Sequence, residues 1–225
     1  MPDTPSKQKS LIFLSLLCFS LADVRDGLGP FLGVYLQSLG WMPDEIGFVM
    51  TAGGLAGLVC TTPLGALADH TRYKRGLIAT SVLLIVVACG MIFSWNGAAA
   101  VTFSKILSCT AAAAIMPALT GITLGMVGQR GLPARLGTNE AWSHAGNAVT
   151  AILGGVIGYT SGIPGVFFVM ALMGGMAIFC LLGIAPRHID YAVARGLNPD
   201  SIGHAALKSK SCIHCSPTNH FWSWG

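Results

Sequence analysis

Four charged residues lie inside long apolar stretches of the chain. Asp23, Arg25 and Asp26 interrupt the first stretch, and Lys105 interrupts the fourth. An ionisable group in hydrocarbon is costly, so it normally faces a polar interior or a charged partner. At about 100° per residue, Asp23 and Asp26 share one helix face and Arg25 points elsewhere. The four residues predict a cavity for a substrate or a proton, and an internal Asp–Arg pair is the alternative.

A polar stripe in the fifth apolar stretch is a second candidate for binding chemistry. Six polar side chains share an arc of about 140° on a helical projection. They are Asn139, Glu140, Ser143, His144, Asn147 and Thr150. Asn139 and Glu140 lie near the start, where a helix cap or an ion pair with the preceding basic loop is the simpler interpretation. His144 and Asn147 lie deeper and are candidates for the cavity, with an ordinary hydrogen-bonded histidine as the alternative.

The composition indicates which kind of element must position these residues. Of 225 residues, 53% are hydrophobic and only 10% are charged. Soluble domains carry about 25% charged residues, so the surface of a soluble protein cannot be covered here. The chain is also too apolar for disorder, and its 29 glycines follow no triplet repeat of the collagen type. The composition therefore predicts a membrane protein.

Six apolar stretches are long enough to cross about 30 Å of hydrocarbon as helices. They cover residues 11–36, 46–68, 76–95, 98–127, 138–160 and 163–185. They are too long for barrel strands and lack alternation with a period of two. The sequence thus predicts an all-α membrane protein with a short N-terminus (residues 1–10), a six-helix bundle (11–187) and a tail (188–225).

The basic residues predict how this bundle is oriented. All but two of the 13 Lys and Arg residues lie outside the six stretches, on one side of the membrane if there are six crossings. By the positive-inside rule both termini are then cytoplasmic. Lys7, Lys9 and the apolar run 11–21 also resemble a cleavable signal peptide. The apolar stretch resumes at Gly27, which favours an uncleaved first helix.

Small residues at four-residue spacing predict close helix packing. Association inside lipid depends on packing, and glycine lets two helix backbones approach each other. The pairs are Gly29 and Gly33, Gly53 and Gly57, Gly121 and Gly125, and Gly154 and Gly158.

The segment GALADHTRYKR at residues 65–75 resembles the cytoplasmic loop signature of the major facilitator superfamily. Residues 22–36 and 135–147 are similar to stretches of bacterial drug-type or metabolite-type carriers. The resemblance implies one half of a fold with two six-helix bundles, built as a 3+3 inverted repeat. It also implies a gating loop formed by Gly65, Asp69, Arg72 and Lys74.

The same resemblance implies a secondary transporter of a small solute with the first and fourth helices lining its cavity. Three features depart from the family pattern. His70 stands for the usual basic residue, Arg72 for the second glycine, and Lys105 for the arginine of many proton-coupled members. Coupling to a proton gradient is expected, and no cofactor is. A non-transporting remnant of a transporter is the alternative function. An integral membrane enzyme lacks support, because the basic loops carry no nucleophile–base pair, phosphate loop or paired metal motif.

The tail after about residue 198 resembles neither a family linker nor a seventh helix. Cys212, Cys215, His214 and His220 have the residue types of a zinc site. A shifted reading frame or a premature stop is the preferred interpretation. The expected partners are the lipid bilayer of a bacterial inner membrane, a small-molecule substrate, and a second six-helix half or a second copy. Nucleic acid is not expected.

Overall fold

The computed structural model describes residues 5–26, 29–71, 73–95, 97–186, 190 and 193–195, and its regular structure there is helical. The elements are α1 (Pro5–Asp26), α2 (Gly29–Ser38), α3 (Pro43–His70), α4 (Lys74–Ser94), α5 (Ala98–Ala113), α6 (Ile115–Ser161), α7 (Ile163–Gly183) and a 3-10 turn (Val193–Arg195).

Four helical segments of the described chain are long and apolar enough to cross a membrane. They are Pro43–His70, Lys74–Ser94, Ala98–Ser161 and Pro164–Gly183. The third has 64 residues. At about 1.5 Å per residue it is far longer than one crossing of about 30 Å requires. The membrane class predicted from composition is therefore confirmed.

The long segment turns back on itself at Gly128. This residue has a φ of 69° and a ψ of 177°, which interrupt the helix and favour glycine. The Asn139 side-chain amide donates to the Thr123 hydroxyl at 3.1 Å, so the two arms of α6 (residues 115–127 and 129–161) pack against each other. A loop was predicted from 128 to 137. That prediction was wrong, because one glycine makes the turn and the helix resumes at once.

The first apolar stretch was predicted to be one helix over residues 11–36, but it is divided in two. α1 ends at Asp26 and α2 begins at Gly29. Gly29 has a φ of 42°, in the left-handed region. The following residue, Pro30, has no amide hydrogen, so it suits the first turn of a new helix and cannot continue the old one.

Glycines do set the closest approaches between helices. Gly53 and Gly57 on α3 contact Lys105 and Cys109 on α5, as the spacing predicted. A Cβ on Gly154 would meet the Phe31 ring at 2.7 Å, whereas Gly33 has no neighbour within 4 Å. The tightest glycine contact, that of Gly146 on α6 with Phe19 on α1, was not predicted from the spacing.

Three basic side chains, those of Lys74, Arg75 and Arg135, donate hydrogen bonds to backbone carbonyls at one end of the bundle. We call this end the basic end. The Arg75 guanidinium donates to the Leu181 carbonyl of α7 at 2.8 Å. The Arg135 guanidinium donates to the Leu11 carbonyl of α1 at 2.7 Å. These contacts gather the start of α1, the end of α7 and the turn of α6 at one end.

The segment after α7 returns to the same end. The Asp190 amide donates to the Gly125 carbonyl at 2.9 Å, next to the turn at Gly128. Ala194 in the 3-10 turn is buried. This segment therefore packs beneath the first arm of α6.

Candidate functional site

A polar cavity of about 230 Å³ lies at the break between α1 and α2. Its lining comprises Asp23, Asp26, Gly29, Phe31, Asn147, Thr150 and Ala151. Three of the predicted cavity residues, Asp23, Asp26 and Asn147, therefore come together here. We call this space the acidic cavity.

The carboxylates lie in the last turn of α1, where a helix leaves backbone carbonyls without intrahelical partners. Asp23 is half-buried and lies beside the Thr150 side chain, with the Asp26 carboxylate in electrostatic range. Carboxylates and the negative end of a helix dipole both favour a positively charged ligand. The site is therefore chemically suited to a cation or a proton.

The second arm of α6 supplies the other wall because it can approach α1 very closely. A Cβ on Gly146 would overlap the Phe19 carbonyl oxygen of α1. Only a glycine permits this crossing, and it brings Asn147 and Thr150 against the acidic cavity. The Ser143 hydroxyl donates to the Cys18 carbonyl at 3.5 Å one turn earlier, along the same seam.

Arg25 pairs locally with its neighbour and not with Asp23. The Arg25 Nε atom lies 3.9 Å from the Asp26 Oδ1 atom, and the two side chains are 33% and 56% exposed. The internal Asp–Arg pair considered from the sequence is thus present, but it is long and solvent-accessible. Within the described residues Asp23 has no salt bridge.

Lys105 does not line the acidic cavity. Its residue is only 8% exposed, on the side of α5 that faces Gly53. The Cys89 thiol on α4 lies in electrostatic range of both Lys105 and Asp23. Among the described residues, Lys105 Nζ makes no salt bridge and no hydrogen bond.

The predicted polar stripe of α6 is divided between the interior and the surface. Asn139 and Thr150 are buried, and Asn147 is partly buried. Glu140 and His144 are exposed on the surface of the bundle. The cap proposed for Asn139 was wrong, because its side chain crosses to Thr123 from inside the helix.

The predicted gating loop differs from expectation at Lys74 and Gly65. Lys74 is fully buried and donates to the Ala68 carbonyl at the end of α3. It passes a notch at Gly121, where a Cβ would meet the Lys74 Nζ atom at 3.0 Å. Asp69 is exposed, and Gly65 has no neighbour within 4 Å, so the expected tight packing at Gly65 is not seen. Arg72 lies outside the described residues.

A larger, open cavity of about 800 Å³ lies where α3 and α5 begin, away from the basic end. Its walls combine apolar side chains such as Trp41, Phe48 and Phe103 with Asp44 and Glu45. Sequence analysis did not single it out. The feature of the sequence that could have indicated this cavity is the pair of small residues Ala98 and Ala99, which line it together with Phe48 of α3.

The zinc ligands considered in the tail, Cys212, His214, Cys215 and His220, lie outside the described residues. Within the part of the chain that the structure describes, no group of three His, Cys, Asp or Glu side chains is placed to hold a metal ion.

Comparison with known proteins agrees with this helical, apolar architecture. The profile of the Major Facilitator Superfamily matches residues 11–220. The uncharacterized MFS-type transporter Rv2456c of Mycobacterium tuberculosis is 41% identical over 186 residues, which cover 82% of this chain and 44% of that protein. Methyl viologen resistance protein SmvA of Salmonella typhimurium is 27% identical over 177 residues, which cover 78% of this chain and 33% of that protein. The chain thus spans less than half the length of these relatives.

Proposed function

Since the chain belongs to the Major Facilitator Superfamily, we propose that it acts as the N-terminal half of a secondary transporter for a small solute. Family membership makes it an integral membrane protein of transport type. Its bacterial relatives favour the inner membrane as its location. The acidic cavity at the break between α1 and α2 is the observation that carries the proposal.

The proposed topology has six crossings. α1 with α2 forms the first, α3 the second and α4 the third. α5 with the first arm of α6 forms the fourth, the second arm the fifth and α7 the sixth. Two inverted three-helix units follow from this order, as in other transporters of the family. The positive-inside rule then puts the basic end and both termini in the cytoplasm.

The proposed mechanism is alternating access around the interior charges. Broken helices at a membrane site expose backbone groups and side chains to a ligand without placing them in lipid. Asp23 and Asp26 would bind a cationic solute or a coupling proton, and Asn147 would orient it. Lys105 would respond electrostatically when either carboxylate is neutralised.

The acidic cavity is lined by residues of this one proposed six-helix unit. A second bundle is needed to enclose a path for the solute across the membrane. The matched region covers 44% of the Mycobacterium relative. A second six-helix half is therefore the proposed partner, with a second copy of this chain as the other candidate.

Transport by a reconstituted pair tests the proposal directly. The chain is co-expressed with the part of the Mycobacterium relative that follows the matched region, in bacteria sensitive to methyl viologen. Because the Salmonella relative is named for resistance to methyl viologen, that compound is the first cation to test, followed by a panel of small solutes. We expect export or uptake of a panel member only when both parts are present.

Charge-removing variants connect that activity with the site. Asp26→Asn and Lys105→Ala should each reduce transport at least tenfold, which corresponds to losing about 1.4 kcal/mol of charge interaction with the solute or the coupled charge, while membrane insertion is unchanged. Asp44→Asn, an exposed carboxylate in the first turn of α3, is the matched control and should transport normally. Unchanged transport in both site variants would contradict the proposal that this cavity binds the solute or the coupling proton.

A further inference from the structure

We propose that Gly53 positions the Lys105 ammonium group, so that the missing side chain at residue 53 determines where the interior positive charge lies. The inference rests on and extends the proposed function, because it concerns Lys105, which the proposed mechanism uses. It is carried by the packing of α3 against α5.

The two helices meet in a fixed register. Gly53 lies opposite Lys105, and Gly57 lies opposite Cys109 one turn further along each helix. A Cβ at residue 57 would be 3.4 Å from the Cys109 carbonyl oxygen, an ordinary contact. A Cβ at residue 53 would be 2.7 Å from Lys105 Cγ, which real structures do not tolerate. A Cβ at residue 53 would also lie 3.2 Å from Cys109 Sγ and 3.4 Å from the Lys105 carbonyl oxygen, so the contact with Lys105 Cγ is the tightest of the three.

The atom in conflict is the one that controls the direction of the lysine. Lys105 Cγ moves only if χ1 changes, and helices restrict χ1 to few staggered positions. A methyl group at residue 53 would thus force Lys105 into another rotamer and redirect the whole side chain. A small movement of the distal atoms would not relieve the contact.

The Lys105 side chain is largely buried between α3 and α5. The residues around Lys105 on α5, Ser104 and Ser108, are buried, and Lys105 itself is 8% exposed. The Ser104 hydroxyl oxygen is buried with no hydrogen-bond partner among the described residues. The Cys89 thiol lies in electrostatic range of both Lys105 and Asp23. The notch at Gly53 therefore fixes the direction in which the Lys105 side chain leaves α5.

NMR of the full chain labelled with ¹³C at lysine Cε tests this proposal, because only six lysines contribute signals. The Lys105 signal is assigned by its absence from Lys105→Ala. Asp23→Asn should shift that signal in the native background. The shift should fall by about half or more in Gly53→Ala, since charge coupling weakens with distance. Gly54→Ala is the matched control, because Gly54 has no neighbour within 4 Å, and it should leave the shift unchanged.

An equal response to Asp23→Asn in Gly53→Ala and in native protein would overturn the proposal, and so would no response in native protein. If Gly53→Ala does not fold, the double variant Gly53→Ala with Lys105→Ala decides, because it lacks the Cγ atom. Recovery of folding in the double variant supports the proposal. Failure of both assigns Gly53 to backbone packing and overturns it. No readout involves transport, so a chain with the expected response that moves no solute would refute the proposed function alone.

Discussion

Two buried lysines lie in different regions of the bundle, Lys74 at the basic end and Lys105 between α3 and α5. The Lys74 ammonium donates to the Ala68 carbonyl, at the end of α3. Lys105 makes no hydrogen bond within the described residues, and the Cys89 thiol lies in electrostatic range of both Lys105 and Asp23. Both side chains need a glycine beside them, Gly121 for Lys74 and Gly53 for Lys105.

The other charges divide in the same way. At the basic end Arg75 donates to a carbonyl at the negative end of α7, and Arg135 donates to a carbonyl near the start of α1, so both join neighbouring elements. In the interior, Asp23 and Asp26 face a cavity. A buried charge with backbone partners stabilises the bundle, and one that faces a cavity is available to a ligand. Structural charges and ligand-binding charges therefore differ in the partners they have, and not in their sign or number.

The largest expected effect comes from making the same substitution at both lysines. Lys74→Met should lower the free energy of unfolding by about 1–3 kcal/mol, because the buried Ala68 carbonyl loses its donor. Lys105→Met should leave the free energy of unfolding unchanged or raise it, since an apolar residue of similar volume often replaces a buried charge without loss. Transport by the reconstituted pair should be abolished by Lys105→Met.

Unfolding in detergent, followed by helical circular dichroism, measures the stability side of this prediction. Transport measured for variants matched in membrane abundance measures the other side. Equal destabilisation by the two substitutions would break the distinction between the regions. Transport that survives Lys105→Met would place that charge with the structural cations.

Much of the helical architecture could be predicted from the sequence, because it depends on length and apolarity alone. The positions at which the helices break could not be predicted. Gly128 turns the chain within a single residue, and the basic segment that follows, with Arg130 and Arg135, reads as a loop because charge is the strongest sequence signal there. Its helical structure depends on contacts with α1 that no local pattern encodes.

The acidic cavity was predicted in part. Asp23, Asp26 and Asn147 stood out as polar groups in apolar stretches, and they do line one cavity. The burial of Lys74 was missed, since a lysine in a basic loop is normally solvated and only the notch at Gly121 accommodates it. The exposure of His144 could not be predicted, because a helical projection gives the angle between side chains but not which angle faces the neighbouring helix.

An effect on stability alone, without loss of transport, is expected at the arginines of α6, and it sharpens the account of the basic end. Arg135→Gln removes hydrogen bonds to the Leu11 carbonyl and to the Ser15 hydroxyl, both at 2.7 Å. We expect the free energy of unfolding to fall by about 1.5–3 kcal/mol, the usual range for bonds to a charged group. Arg130→Gln, on the same helix and exposed, should change it by at most about 0.5 kcal/mol. Similar values for the two variants in urea or thermal unfolding would show that the carbonyl contacts of Arg135 contribute little.

The smallest effect is expected at Arg25, the one cation next to the acidic cavity with a carboxylate partner in the described chain. Its 3.9 Å contact with Asp26 joins two solvent-accessible side chains, and such pairs contribute less than about 1 kcal/mol. Arg25→Gln should therefore barely change stability, and salt should weaken even that change. The same variant leaves Asp26 without a competing cation, so a cationic solute should bind the reconstituted pair at least as tightly as before. Measuring unfolding at low and high salt together with the half-saturating solute concentration separates the two effects. A large loss of stability would make Arg25 a structural cation like Arg135, whereas weaker binding of the solute would mean that Arg25 itself belongs to the site.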